Sequence, residues 1–206
     1  MFALVESGLI TKYISGNRGI TIGDIQYPKS IFTLWSASQR EAIGIYEVEM
    51  DNSKKKDEEW YINTNVTDSF GGGKVTGAYG DATAKAHADT LFTAQDETDG
   101  KGTEGEVKSR GLKYNLIQKI KKQAAAELQN TDWYVIRKAD AGTAVPSAIT
   151  THRAAVRTKA AEMETAITNA SDTPALETLY TYVNTADEGD PVVMERPLGE
   201  LPRLDS

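Results

Sequence analysis

The chain has 206 residues, with 30 acidic against 23 Lys and Arg side chains and no cysteine. That length supports one substantial core or two small ones, and the missing thiols exclude a disulfide framework or a thiolate metal site. A net charge of −7 opposes non-specific binding to nucleic acid or an anionic membrane, since both need a cationic field, so neither is expected as a partner.

Met1 to Val5 is followed at once by Glu6, without a basic leader, and no apolar run is long enough to span a bilayer. The chain is therefore expected to stay in the cytoplasm in which it is made, with the sequons at Asn65 and Asn169 unused. Short β-prone runs at 2–5, 9–14 and 19–22 are punctuated by Ser7-Gly8, Ser15-Gly16-Asn17 and Gly23-Asp24, which is the rhythm of tight hairpins in a small antiparallel sheet. Ser36 or Ser38 is placed to cap a short helix through Ala42 that Gly44 stops, and 45–49 alternates as a half-buried strand.

Residues 51–59 set Lys54-Lys55-Lys56 directly against Asp57-Glu58-Glu59, and such a self-neutralising run predicts a solvated turn, not a phosphate site. Gly71-Gly72-Gly73 before Lys74 tempts a nucleotide-loop reading, but Val75 stands where the phosphate loop needs a hydroxyl. A glycine hairpin turn is expected instead. The Ala-rich stretch 81–92 predicts a helix, and 95–105, polar and without apolar periodicity, predicts a linker.

Apolar residues at helical spacing then mark two runs. Leu112, Leu116, Ile117, Ile120, Ala124 and Leu128 form one stripe; Ile149, Val156, Ala160, Met163 and Ile167 form the other. Gly142 breaks the chain between them and Pro146 suits the first turn of the second helix, so the two are expected to pack as a hairpin with Trp133 buried beneath it. Leu116, Ile120, Leu128, Trp133, Val156 and Met163 are expected to share one core. A third helix capped by Thr173, with Pro174 in its first turn, would bury Leu176, Leu179, Tyr180 and Val183. From residue 187 onward Pro191, Pro197 and Pro202 interrupt Val192, Val193, Met194, Leu198, Leu201 and Leu204. Such an arm is expected to lie extended on a neighbouring subunit, not on its own helices.

Lys121-Lys122-Gln123-Ala124, Leu128, Thr131-Asp132-Trp133 and Arg153-Ala154-Ala155-Val156-Arg157 resemble the helical segment of bacteriophage tail assembly chaperone proteins. The same segment closes many phage tail and tail-fibre-associated proteins. That pattern runs from a basic helix ending in Leu and Thr-Asp-Trp to a second helix marked by an aromatic, Arg, two variable residues, an aliphatic and Arg. Here His152 holds the aromatic position, and an insert separates Tyr134 from Pro146. The order of short helix, Gly, Ile and strand after the first hairpin also resembles the leading domain of several phage tail proteins. The resemblance implies a structural part of the virion tail or fibre attachment apparatus, or an assembly chaperone that leaves. The structural role is preferred, because a chaperone needs only the helices whereas this chain adds a β domain and an arm. An enzyme of unrecognised type is the third reading.

Chemistry is sparse. His87 and His152 are the only histidines, no spacing clusters carboxylates for a metal, and no nucleophile elbow or dinucleotide fingerprint occurs. No catalytic residue, cofactor, metal or small-molecule substrate is expected. Arg153 and Arg157 lie on one helix face, where Glu127, Asp132 or a partner's carboxylate would meet them; a surface ion pair is the simplest expectation. With Val192, Val193, Met194, Leu198, Leu201 and Leu204 they make up the candidate partner-binding set. The expected whole is α+β: an antiparallel β domain over 1–92, a linker over 93–108, a helical domain over 109–186 and an extended arm over 187–206. It is expected to be homo-oligomeric, bound to other tail or fibre proteins in a virion and made in the cytoplasm of the host bacterium.

Overall fold

In the computed structural model, which describes residues 1–204, β1 (Phe2–Glu6) and β2 (Leu9–Ile14) form a hairpin closed by Ser7 and Gly8 at φ of 53° and 80°. A second hairpin, β3 (Ile20–Ile22) with β4 (Ile25–Tyr27), turns at Gly23-Asp24. One helical turn, α1 (Ile31–Leu34), precedes α2 (Ala37–Glu41), where Ser36 and Gln39 complete a reciprocal capping box. Gly44, at φ 81°, then lets the chain leave the helix tight against the Val5 carbonyl, where a Cβ would stand 2.7 Å from the oxygen.

The strands β5 (Ile45–Asp51), β6 (Tyr61–Ile62), β7 (Thr67–Gly71) and β8 (Lys74–Ala78) follow. Gly72 and Gly73, both at positive φ, form the β7–β8 turn expected of the glycine run, and 51–59 is solvated throughout. The main sheet has five strands in the order β2-β1-β5-β8-β7. One pairing corrects the antiparallel expectation, because β5 and β8 run parallel with Val48 opposite Val75. Alternation marks each strand, but it does not say which member of the β7–β8 hairpin docks on β5. At the open edges β2 and β7 approach each other, and a hydrogen bond to Asp68 pushes the Tyr13 phenol above its ordinary ionisation range. Leu4, Ile14, Ile20, Ile31, Phe32 and Ile45 form the core under the first hairpins.

The chain divides into two compact units, Met1–Thr83 and Ala84–Ser206, the strand β9 (Thr83–Ala84) lying at the division. The protein is α+β, a strand-rich unit preceding a helical one. The division falls earlier than the expected 93–108 linker, and the physical reason is hydrogen bonding by residues that composition marks as helix or loop. Residues 81–92 do not form a helix: two short strands flank a bend at 87–88, and β10 (Thr90–Leu91) pairs with β11 (Val107–Ser109). The carbonyls of Ala86 and His87 accept from the N–H groups of Leu112 and Lys113, which would otherwise be orphan donors at the start of the next helix. These bonds outweigh alanine's helix preference.

Between those strands, α3 (Ala94–Thr98) is capped by Thr93 with Asp96 reaching back, so the supposed linker is a built loop. Lys108 donates to Asp96 at 2.8 Å, and with the Thr93 amide and hydroxyl it holds the Asp96 carboxyl well below the usual carboxylate range. The Gly111 N–H, then the Arg110 guanidinium, lower Asp89 in the same sense. A depressed folded pKa contributes stability that is present above the unfolded value, about 3.9 for Asp, and is lost as pH falls through the folded one. The 84–113 segment is therefore expected to keep its hydrogen-exchange protection from neutrality to about pH 4.5 and to lose it in more acidic solution ahead of the helices.

Two long helices, α4 (Leu112–Gln129) and α6 (Ser147–Asn169), pack against each other as the expected hairpin. Leu116, Ile120 and Ala124 are buried on one, and Ile149, Val156, Ala160, Met163 and Ile167 on the other. Pro146 sits at the N-cap, just before the first turn. Between them lies α5 (Asp132–Ala141), ended by Gly142 in the left-handed conformation at φ 66°. The third expected helix is α7 (Thr173–Tyr180), but Asp172 caps it, accepting from the Ala175 N–H, while the Thr173 hydroxyl donates to the Lys85 carbonyl at 2.6 Å. Leu176 fills its core position; Val183 lies outside the helix and is exposed. The ribbon of β12 (Val183–Asn184) and β13 (Met194–Glu195) follows.

Candidate functional site

Four of the residues that carry the phage resemblance, Leu128, Thr131, Asp132 and Arg153, come from two segments and meet at one point. Arg153, on α6, is only 8 % exposed. One of its terminal nitrogens donates to the Leu128 carbonyl at 2.8 Å and to the Thr131 hydroxyl at 2.6 Å, and the other pairs with Asp132 at 2.9 Å. The Thr131 hydroxyl in turn donates to the Leu128 carbonyl. A planar cation thus closes the end of α4, where unpaired carbonyls and the negative end of the helix dipole gather. The same contact fixes the turn into α5.

The simple surface pair expected of Arg153 is therefore corrected: the guanidinium is buried because α4 supplies carbonyl and hydroxyl acceptors beyond the carboxylate. Arg157, one turn further on, is exposed. The two arginines share a helix face without sharing an environment, and Glu127 is not the partner. His152 is buried beside Arg153 as a packing residue, in the position where the resemblance has an aromatic ring.

Trp133 is not buried beneath the hairpin; it is 48 % exposed. The segment read as an insert is helical, and the helix carries Trp133 away from α4 and α6. Its ring stacks on Tyr134, and the Arg137 guanidinium lies 4.7 Å from its centroid. Val135 and Ile136 are exposed as well, and no residue of α5 is buried. Of the six residues expected to share a core, Leu116, Ile120, Val156 and Met163 are buried, Leu128 is half-buried and Trp133 is outside. Trp133→Ala is accordingly expected to lower stability by about 1 kcal/mol or less, the scale of a surface substitution that loses one stacking contact. A thermal melt of the variant beside the parent chain checks this.

The arm is divided as well. Leu198 is 2 % exposed and its N–H donates to the Leu179 carbonyl, so this residue belongs to the subunit's own core. Arg196 holds the return in place, pairing with Glu200 at 2.8 Å and stacking over Tyr180 and Tyr182. Tyr182 also donates to Glu200. Leu201 is half-buried and lines a cleft of about 480 Å³ with Gln123, Glu127, Met163, Arg196 and Arg203. The expectation that the arm avoids its own helices is thus wrong for 196–202. Prolines prevent helix there, but they leave the aliphatic side chains free to fold back. Val192, Val193 and Met194 remain exposed on the β12–β13 ribbon, and Leu204 is exposed beyond it. Asp205 and Ser206, the last of the expected arm, lie outside the described residues.

Sequence reading missed Val135 and Ile136 as contact candidates. The available signal was the unbroken apolar run Trp133-Tyr134-Val135-Ile136 directly after an acidic first-turn residue, a pattern compatible with a short helix. Among the described residues no three His, Asp or Glu side chains are grouped to hold a metal, and no helix is long and apolar enough to cross a membrane. Compared with protein-family models, with curated proteins and with solved structures, the chain matches none.

Proposed function

We propose that this protein is a structural component of a bacteriophage virion, in the tail or the fibre attachment apparatus, and that it works through protein contacts without catalysis. The observation that supports this is the Arg153 bracket. Leu128, Thr131 and Asp132 around the end of α4 and Arg153 on α6, all residues of the phage-like pattern, make one hydrogen-bonded joint. That joint holds α5 with its apolar residues turned outward, which is what a binding surface requires. The protein is made in the host bacterial cytoplasm, and its partners are other tail or fibre proteins and further copies of itself.

One observation favours the chaperone alternative: the residues that resemble the chaperone helical segment all fall within the second unit, which clusters by itself. Sedimentation of an infected lysate separates the two readings. A structural protein travels with gradient-purified particles, whereas a chaperone remains in the particle-free fractions.

A further inference from the structure

We propose that copies of this protein bind one another head to tail, the β12–β13 ribbon of one copy seating on the outward face of α5 in the next. This rests on the reading of the chain as a contact protein and adds the identity of one partner. Both surfaces are poorly supported within their own chain. A helix of ten residues is marginal in water, and α5 buries none of its own. On its outer side, where polar residues are the rule, it carries Val135 and Ile136, with Trp133 at the flank. A two-stranded ribbon is equally marginal alone, and this one exposes Val183, Val192, Val193 and Met194.

Charge pairs the two surfaces. The loop joining β12 to β13 bears Asp187, Glu188 and Asp190, all exposed. On α5, Asp132 is already engaged by Arg153, leaving Arg137 and Lys138 against Asp140. The acidic loop therefore meets a helix whose remaining charge is basic, an arrangement that sets orientation. The seven apolar side chains just named, at roughly 80 Å² apiece, come to about 600 Å² of apolar contact, which places this association among the smaller, weaker interfaces. Charge decides between partners: α5 on α5 would bury a similar six apolar side chains, three from each copy, but would set basic residues near their own kind, and ribbon on ribbon would set one acidic loop against another. A contact between two different patches is heterologous, so it propagates into a ring or a filament.

The test uses the full chain carrying Ile136→Asp or Val192→Asp, positions 66 % and 70 % exposed, where a carboxylate leaves the fold intact. Circular dichroism melts verify that. In sedimentation velocity the unaltered chain is expected to grow beyond a dimer with concentration, and each variant alone to stay monomeric, its association weakened at least about tenfold. Mixed together, the variants retain one intact helix face and one intact ribbon between them, so they are expected to form a 1:1 complex and nothing larger. A monomeric parent chain, loss of assembly in Ile136→Asp but not in Val192→Asp, or no complex on mixing would each overturn the proposal. Absence of the protein from virions would instead overturn the virion reading and leave these outcomes unchanged.

Discussion

Arg153→Ala is expected to destabilise the helical unit by roughly 1–3 kcal/mol, the cost of leaving one buried acceptor without a donor. The substitution leaves the almost wholly buried Thr131 hydroxyl without a donor, while the Leu128 carbonyl keeps the Thr131 N–H and hydroxyl as donors. Asp132 is half-exposed, so loss of its ion pair adds little. Arg153→Lys should recover only part of the loss, because an ammonium cannot present a planar fork to several acceptors at once. Urea unfolding followed by the helical circular dichroism signal measures both variants. A midpoint unchanged in Arg153→Ala would show that the bracket contributes nothing. The α5 surface depends on it, so hydrogen exchange in 132–141 should rise in the same variant.

Leu198→Ala is expected to cost about 2–5 kcal/mol, the range for emptying a buried leucine site. Leu198 is the point where the arm enters the core, and the flanking Arg196–Glu200 pair and tyrosine stacking hold the backbone on either side of it. Val192→Ala, a few residues earlier but exposed, should cost less than about 0.5 kcal/mol. The contrast between the two, measured by the same unfolding experiment, tests whether the arm is divided at Met194–Glu195. Equal effects would mean that it acts as one segment.

The hairpin was legible because its apolar residues recur over many turns, and a long stripe has one way to be buried: Ile120 and Val156 mark the facing sides in sequence and in structure alike. Turns were legible for a similar reason, since Gly72-Gly73 and Ser36 act locally. Residues whose state is set by distant partners were not. Ala86 and His87 are non-helical because their carbonyls serve as acceptors for the start of α4, which alanine content does not reveal. Trp133 is exposed because Asp132 and Thr131 are held by a residue on another helix, and bulk alone argues for burial. The environment of Arg153 was legible only in part, since Asp132 as partner was foreseeable but the Leu128 carbonyl was not. The arm was misread in half because aliphatic residues between prolines look alike, and only packing distinguishes Leu198 from Val192.

The central claim is that this protein stays in the particle, and its copy number tests that most directly. Isotope-dilution mass spectrometry of gradient-purified virions, washed in high salt, counts peptides of this chain against those of the particle's own repeating proteins. Retention as a structural component predicts a fixed ratio of at least one copy per virion, the same before and after washing. A ratio below one copy, or one that falls with each wash while the protein stays abundant in the lysate, would contradict it.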